Sequence, residues 1–125
     1  KYYLIAGEAS GDLHGRHLIR ALRQQDPLAQ IHCWGGDGMQ AEGATLVKHF
    51  RDLAFMGFFE VLRNLPTILR NLRFCKNDIK SFNPDVVVLI NYPGFNLRIA
   101  EWAKRAGYKV VYYISPQVWA WKANR

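Results

Sequence analysis

Near its amino terminus the chain carries the stretch Tyr2–Gly15, which reads YYLIAGEASGDLHG. It opens with an apolar run typical of a strand, and a helical pattern with Leu18, Ile19 and Leu22 on one face follows it. A strand that ends at Gly7 and continues into a helix directs unpaired backbone N–H groups, and the positive end of the helix dipole, towards one point. This stretch therefore predicts a ligand-binding turn at the carboxyl end of the first strand.

Apolar runs alternate with helical periods along the rest of the chain. The run Asp85–Ile90 is continuous and β-branched, as in a strand covered on both faces, and Lys109–Ile114 is interpreted as a further buried strand. This alternation predicts one α/β domain over residues 1–125, a doubly wound parallel sheet with right-handed crossovers. The predicted strands are Tyr2–Ala6, Leu28–Trp34, Ala44–Lys48, Asp85–Ile90 and Lys109–Ile114, and the predicted helices are Leu13–Gln25, Met39–Glu42, Gly57–Phe82 with a break at Pro66, and Asn96–Ala106.

The composition limits the class of partner and the compartment. The chain has 17 Lys and Arg against 10 Asp and Glu, a net charge of +7, which predicts an acidic partner: a phosphorylated substrate, an anionic lipid headgroup or nucleic acid. Cys33 and Cys75 lie far apart and outside any CxxC pair, so we expect buried free thiols.

The chain has no apolar run long enough to cross a bilayer and no secretory leader, so we expect a protein that is neither transmembrane nor secreted. The start at Lys1 rather than Met suggests a piece of a longer protein.

The turn after the first strand has two interpretations. It lacks the G-x-G-x-x-G fingerprint, the Walker A loop and the G-x-S-x-G elbow of hydrolases. Gly7, Gly11 and Gly15 could serve only a tight turn and a helix that packs closely on the sheet. We favour the close approach of a sugar or phosphate to bare backbone, because polar side chains crowd the turn. These polar candidates are Glu8, Ser10, Asp12 and His14.

The carboxylates of this turn have two roles open to them. Asp12 or Ser10 could be the N-cap of the first helix, where a side-chain oxygen accepts a bond from a backbone N–H. A carboxylate at the same place, Asp12 or Glu8, could instead act as a general base towards a bound hydroxyl.

Two further loops follow predicted strands and therefore lie at the same edge of a parallel sheet. Residues 91–96 read NYPGFN, which is either a loop with an N-cap or part of a site. Residues 115–121 read SPQVWAW, whose tryptophans either fill a domain interface or form a wall beside a ligand. Three polar loops at one edge predict a substrate site there. Its candidates are Asn91, Asn96, Ser115, Gln117 and Trp119, together with Gly7, Gly11 and the polar side chains of the first turn.

The section over residues 55–82 combines an apolar arc with a basic flank. An ordinary core helix explains most of it, but the run FMGFF at 55–59 is more apolar than one buried face requires. Exposed aromatic residues beside Arg would dock on an anionic bilayer surface. The candidate membrane-contacting residues are Phe55, Phe58, Phe59, Leu62, Arg63, Arg70 and Arg73.

Five motifs, in order, resemble those of the lipid A disaccharide synthases, a family of GT-B glycosyltransferases. They are IAGEASGD at 5–12, GGDGMQAEG at 35–43, MGFFEVL at 56–62, PGFNL at 93–97 and YISPQVWAW at 113–121. The resemblance covers the whole chain but only the N-terminal part of such an enzyme.

The resemblance implies two Rossmann-like domains facing across a cleft, with the nucleotide sugar held mainly by a C-terminal domain absent from this chain. It implies inverting, metal-independent transfer from UDP-2,3-diacylglucosamine to 2,3-diacylglucosamine 1-phosphate, which gives a β-1,6-linked disaccharide and UDP without a further cofactor. It also implies a cytoplasmic enzyme that is peripheral on the inner membrane of a Gram-negative bacterium.

One position departs from the family pattern. Many members carry Asp where this chain has Asn91. If that Asp is the catalytic base in those members, Asn91 cannot take the proton from the hydroxyl, because an amide is not a base, and the role falls to Asp12 or Glu8. The alternative to an enzyme is a non-catalytic α/β module whose basic face binds anionic lipid or nucleic acid, although no nucleic-acid-reading motif supports the latter.

Overall fold

The computed structural model describes residues 1–53 and 65–114, which form alternating strands and helices. Part of the predicted helix Gly57–Phe82, and the predicted loop 115–121, lie outside the described residues. In chain order the elements are β1 (Tyr2–Ala6), α1 (Ala9–Gln25), β2 (Ile31–Gly35), α2 (Asp37–Ala41), β3 (Thr45–His49), a 3₁₀ turn (Phe50–Leu53), α3 (Leu65–Phe82), β4 (Val86–Ile90), α4 (Pro93–Arg105) and β5 (Lys109–Tyr113).

The five strands form one parallel sheet in the order β3-β2-β1-β4-β5. The chain leaves β1 towards β2 on one side and leaves β4 towards β5 on the other, so the strand order reverses between β1 and β4. In open α/β sheets, ligands bind in the crevice outside the carboxyl ends of the strands at such a reversal. The predicted doubly wound fold is confirmed.

Side chains alternate along β1 between two hydrophobic cores, one on each face of the sheet. Tyr3 and Ile5 pack with residues of α3 and α4, whereas Leu4 and Ala6 pack with residues of α1 and α2. All four are fully buried. Both faces of the central strands are therefore covered, which explains their unbroken apolar sequence.

Three predicted features are confirmed. The bounds of β1 match the prediction. The residue Pro66 lies in the first turn of α3, where its missing N–H costs no helical hydrogen bond. The thiols of Cys33 and Cys75 are free and buried.

Two predicted helix starts are wrong. Helix α1 begins at Ala9 with Glu8 as its N-cap, so neither Ser10 nor Asp12 caps it. Helix α4 begins at Pro93 with Tyr92 as its N-cap, so Asn96 lies inside the helix. In both cases the N-cap residue makes no side-chain hydrogen bond to the first turn. The sequence therefore contains no capping side chain that marks where the helix begins.

Strand β5 is not the buried strand that the sequence predicts. It pairs with β4, and Val110 and Tyr112 pack on the α3–α4 face. Val111 and Tyr113 alternate to the other face and are 46% and 42% exposed. Right-handed crossovers place the helices after β3 and β4 on one face only, so the other face of β5 has less cover within residues 1–53 and 65–114.

Helix α3 combines a buried face and an exposed apolar flank. Leu72, Cys75 and Ile79 are buried against the sheet, whereas Leu65 and Leu69 are 45% and 49% exposed. No helix within the described parts of the chain is both long and apolar enough to cross a bilayer.

Candidate functional site

The crevice at the carboxyl ends of β1 and β4 joins two of the predicted loops. Gly7 follows β1 and packs so closely on the ring of Tyr92, which follows β4, that a Cβ atom at Gly7 would lie 2.5 Å from that ring. Gly11 packs against Ala6 in the same way, at 3.0 Å. These contacts support the packing explanation for the two glycines.

The first turn of α1 faces this crevice with a carboxylate at its start. Glu8 has an extended backbone, with φ −155°, and its exposed side chain makes no cap hydrogen bond. Ser10 is half-buried. The first N–H groups of a helix have no intrahelical partner, so this turn can donate hydrogen bonds to an oxygen-rich ligand.

Asp12 caps α2 rather than its own helix. Its carboxylate accepts hydrogen bonds from the backbone N–H groups of Gly36 (2.8 Å), Gly38 (3.0 Å) and Met39 (3.0 Å). A Cβ atom at Gly38 would lie 2.6 Å from Asp12 Oδ2, so a glycine is needed where the carboxylate approaches the backbone. Residues 35–39 therefore have a structural partner in α1, and this contact was missed from the sequence.

Two consecutive residues with left-handed backbone end β4. The φ angles of Asn91 and Tyr92 are 49° and 51°. Asn tolerates this conformation, whereas for a bulky residue such as Tyr it costs about 1–3 kcal/mol and persists only where the surroundings impose it. Such strain is typical of functional turns, and Tyr92, a lining residue of the crevice, was missed from the sequence.

Backbone bonds fix the position of Asn91, which is 2% exposed. Its N–H donates to the carbonyl of Tyr113 (2.9 Å), and its own carbonyl accepts from the Tyr112 hydroxyl (2.8 Å). Burial raises the pKa of both the Tyr112 and the Tyr92 hydroxyls, so both remain protonated donors at neutral pH.

Asn96 joins the ends of β1 and β4. Its fully buried amide nitrogen donates to the carbonyls of Ile5 (3.2 Å), Ile90 (3.4 Å) and Asn91 (3.0 Å). Asn96 therefore holds the ends of the two strands together and, being fully buried, does not line the crevice.

His14 lies one turn further along α1, beside the end of β5. Its ring is 5.4 Å from the Tyr113 ring, and the two residues line a cavity of about 280 Å³ with Val111 and Ile90. The crevice thus brings together Gly7, Glu8, Ser10, Gly11 and Asn91, with His14 at its β5 end.

Several predicted site residues are not part of this description. Ser115, Gln117 and Trp119 lie outside the described residues, as do Phe55, Phe58, Phe59, Leu62 and Arg63. Arg70 and Arg73 are both exposed on α3. Within residues 1–53 and 65–114, no group of three or more His, Cys, Asp or Glu side chains is placed to hold a metal ion.

The family model described as lipid-A-disaccharide synthetase matches residues 2–125. The chain belongs to this family. The family's lipid-A-disaccharide synthase of Neisseria gonorrhoeae is 50% identical over 119 residues, which is 95% of this chain and 30% of that protein. The synthase of the same name from Coxiella burnetii strain Dugway is 44% identical over 122 residues, 98% of this chain and 32% of that protein. The chain therefore spans about a third of the length of these curated relatives, and the match includes every residue of the crevice.

Proposed function

We propose that this chain forms the acceptor-side half of the cleft of a glycosyltransferase in lipid A biosynthesis. The proposed reaction joins UDP-2,3-diacylglucosamine to 2,3-diacylglucosamine 1-phosphate and yields a β-1,6-linked disaccharide and UDP. The observation that supports it is the crevice at the strand-order reversal between β1 and β4, in a chain of this family.

The proposed chemistry is a single inverting displacement. The 6-hydroxyl of the acceptor attacks the anomeric carbon of the donor, its proton passes to a base, and the bond electrons leave with UDP. Glu8 is the better candidate for the base, because its side chain is exposed and makes no cap bond, while the Asp12 carboxylate already accepts three backbone hydrogen bonds. The N–H groups of the α1 turn would hold an acceptor oxygen.

The proposed partner of this half-cleft is a C-terminal domain that holds the nucleotide sugar, and the reaction would need no metal or other cofactor. The test is UDP release by the intact protein. We expect release only when both acylated sugars are present and none from residues 1–125 alone, since half of the cleft would be missing. Release that continues without the acceptor, or an intact protein that is inactive with both sugars, would contradict the assignment.

The enzyme would meet its substrates on the cytoplasmic leaflet of the inner membrane as a peripheral protein. The proposed contact surface comprises Phe55, Phe58, Phe59 and Leu62 with Arg63, Arg70 and Arg73. Burying a large apolar side chain stabilises attachment by about 1.5–3 kcal/mol, and a basic residue near an anionic surface adds about 1 kcal/mol. Attachment should therefore be reversible and sensitive to salt.

Co-sedimentation with anionic vesicles tests this surface. A Phe58→Ser/Phe59→Ser variant of the intact protein should pellet less than wild type while its melting temperature is retained. A folded variant that still pellets like wild type in both low and high salt would argue against this surface. Loss of folding would instead assign the two aromatic residues to the core.

A further inference from the structure

A groove with an excess of positive charge lies between α3 and α4. One cavity of about 500 Å³ is lined by Arg73 and Lys76 of α3 and by Arg98, Glu101 and Arg105 of α4. Both helices run from the carboxyl edge of the sheet towards its amino edge, so this cavity extends away from the crevice and reaches the last residue of α4.

Three of the four cations in the groove lack an anionic partner. Arg105 pairs with Glu101 one turn earlier on the same helix. The side chains of Arg73, Lys76 and Arg98 form no ion pair and no hydrogen bond with any other residue among those that the structure describes. Unpaired cations that converge on one cavity repel each other, and an anion bound there would relieve that repulsion.

The groove continues as an apolar trough towards the carboxyl edge. A second cavity of about 280 Å³ is lined by apolar residues that include Leu65, Ile68 and Phe95, and by Tyr92 at its crevice end. It shares Leu69, Leu72 and Arg98 with the cationic cavity. Its exposed leucines, Leu65 and Leu69, are large apolar groups in contact with water. Their burial under an apolar ligand would be favourable.

We propose that this groove binds one molecule of an anionic phospholipid. The phosphate lies against Arg73, Lys76 and Arg98, and one acyl chain lies along the trough beside Leu69. Guanidinium groups match phosphate oxygens in charge and geometry, and clusters of Lys and Arg attract anionic lipid headgroups. A free phosphate would use only the cationic half, and the adjoining apolar half indicates a ligand that carries both groups.

The apolar trough reaches the sugar-transfer crevice at Tyr92, which lines both, whereas the cationic half of the groove lies away from the crevice. The site differs from the proposed membrane surface because it holds a single lipid in a groove. Arg73 belongs to both proposals, so the test relies on Arg98 and Lys76. Both residues line the groove, whereas the crevice residues Glu8 and Asn91 line neither of its two cavities.

The test is calorimetric titration of the intact protein with a monomeric short-chain lipid, which requires no membrane. The probes are dihexanoylphosphatidylglycerol below its critical micelle concentration, the zwitterionic dihexanoylphosphatidylcholine, and glycerol 3-phosphate. We expect the first to bind more tightly than the other two. Arg98→Glu and Lys76→Glu should each weaken its affinity about tenfold or more, since each removes a charge-assisted bond and adds a repulsive charge.

Lys104→Glu is the matched control, because Lys104 is exposed on α4 but does not line the groove. It should leave the affinity unchanged. Equal binding of glycerol 3-phosphate would show an anion site without a lipid, and equal binding of phosphatidylcholine would show an apolar site without charge selection; either result overturns the proposal. An effect of Lys104→Glu as large as that of Arg98→Glu would do the same. Failure of vesicle co-sedimentation would leave this titration unaffected, so the two proposals can fail separately.

Discussion

The carboxylate of Asp12 on α1 and the backbone N–H of Gly36 after β2 are joined by a hydrogen bond of 2.8 Å. The same carboxylate also receives the N–H groups of Gly38 and Met39, so a side chain of one helix satisfies the first turn of the next. An anion at the positive end of a helix dipole is stabilising. This contact gives Asp12 a role in holding the fold.

Asp12→Asn should therefore destabilise the protein. The amide keeps one acceptor oxygen but turns an N–H donor towards the N–H of Gly38, which loses its partner. The expected loss is about 1–3 kcal/mol of unfolding free energy, measured by denaturant titration of the intact protein. Asp26→Asn is the control, because Asp26 is exposed at the other end of α1 and its side chain forms no ion pair among the described residues. Unchanged stability together with lost turnover would contradict the structural role and would instead support Asp12 as the catalytic base.

Glu8→Gln should lower turnover and leave stability unchanged. Its side chain is exposed and makes no cap bond, so the melting temperature should not change. Removal of a general base lowers kcat by about 10²–10⁴-fold. Steady-state UDP release by the intact protein measures the effect, with Asp26→Asn at the other end of α1 as the control. Turnover close to wild type would remove Glu8 from the chemistry.

Asn96→Ala should unfold more easily than wild type. It removes the donor shared by the carbonyls of Ile5, Ile90 and Asn91, and a buried group left unsatisfied costs about 1–3 kcal/mol. Asn96→Asp should be at least as damaging, because a carboxylate would then face those oxygens. Asn77→Ala on the exposed side of α3 should change the unfolding free energy little. Similar stability for the Asn77 and Asn96 alanine variants would contradict the bracing role of Asn96.

Stability should fall as the solution becomes alkaline. Burial, and then the nearby Asp12 charge, raise the pKa of the Cys33 thiol from 9.0 to about 12. The unfolded thiol loses its proton above pH 9 while the folded thiol keeps it, so the contribution is constant below pH 9 and is lost progressively up to about pH 12.

The measurement is the unfolding free energy of the intact protein against pH. One such thiol contributes a slope of about 1.4 kcal/mol per pH unit in that window. Burial also raises the pKa of Cys75 and Tyr3. The Cys33→Ala variant should therefore keep part of the decline but show a shallower slope than wild type. Identical slopes in the two proteins would contradict the shift at Cys33.

The strand-turn-helix order could be predicted from residues alone. Buried parallel strands such as β1 and β4 need apolar side chains on both faces, and glycines or prolines end them, so local composition reports the pattern. The position of the crevice followed from the same order, because the carboxyl ends of parallel strands meet at one edge. On that basis the sequence alone predicted that the Gly7 turn and Asn91 lie at the same edge of the sheet.

Contacts between distant residues were decided only in the tertiary structure. Asp12 and Gly36 are separated by 24 positions in the sequence, and Asn96 and Ile5 by 91 positions. No local sequence pattern could therefore predict either hydrogen bond. Capping preferences assigned both polar side chains to their own helices, because a side chain is more often satisfied locally. The cationic groove likewise depends on how α3 and α4 lie side by side. Sequence periodicity determined which residues could face the core or the solvent, and packing determined which partners those faces met.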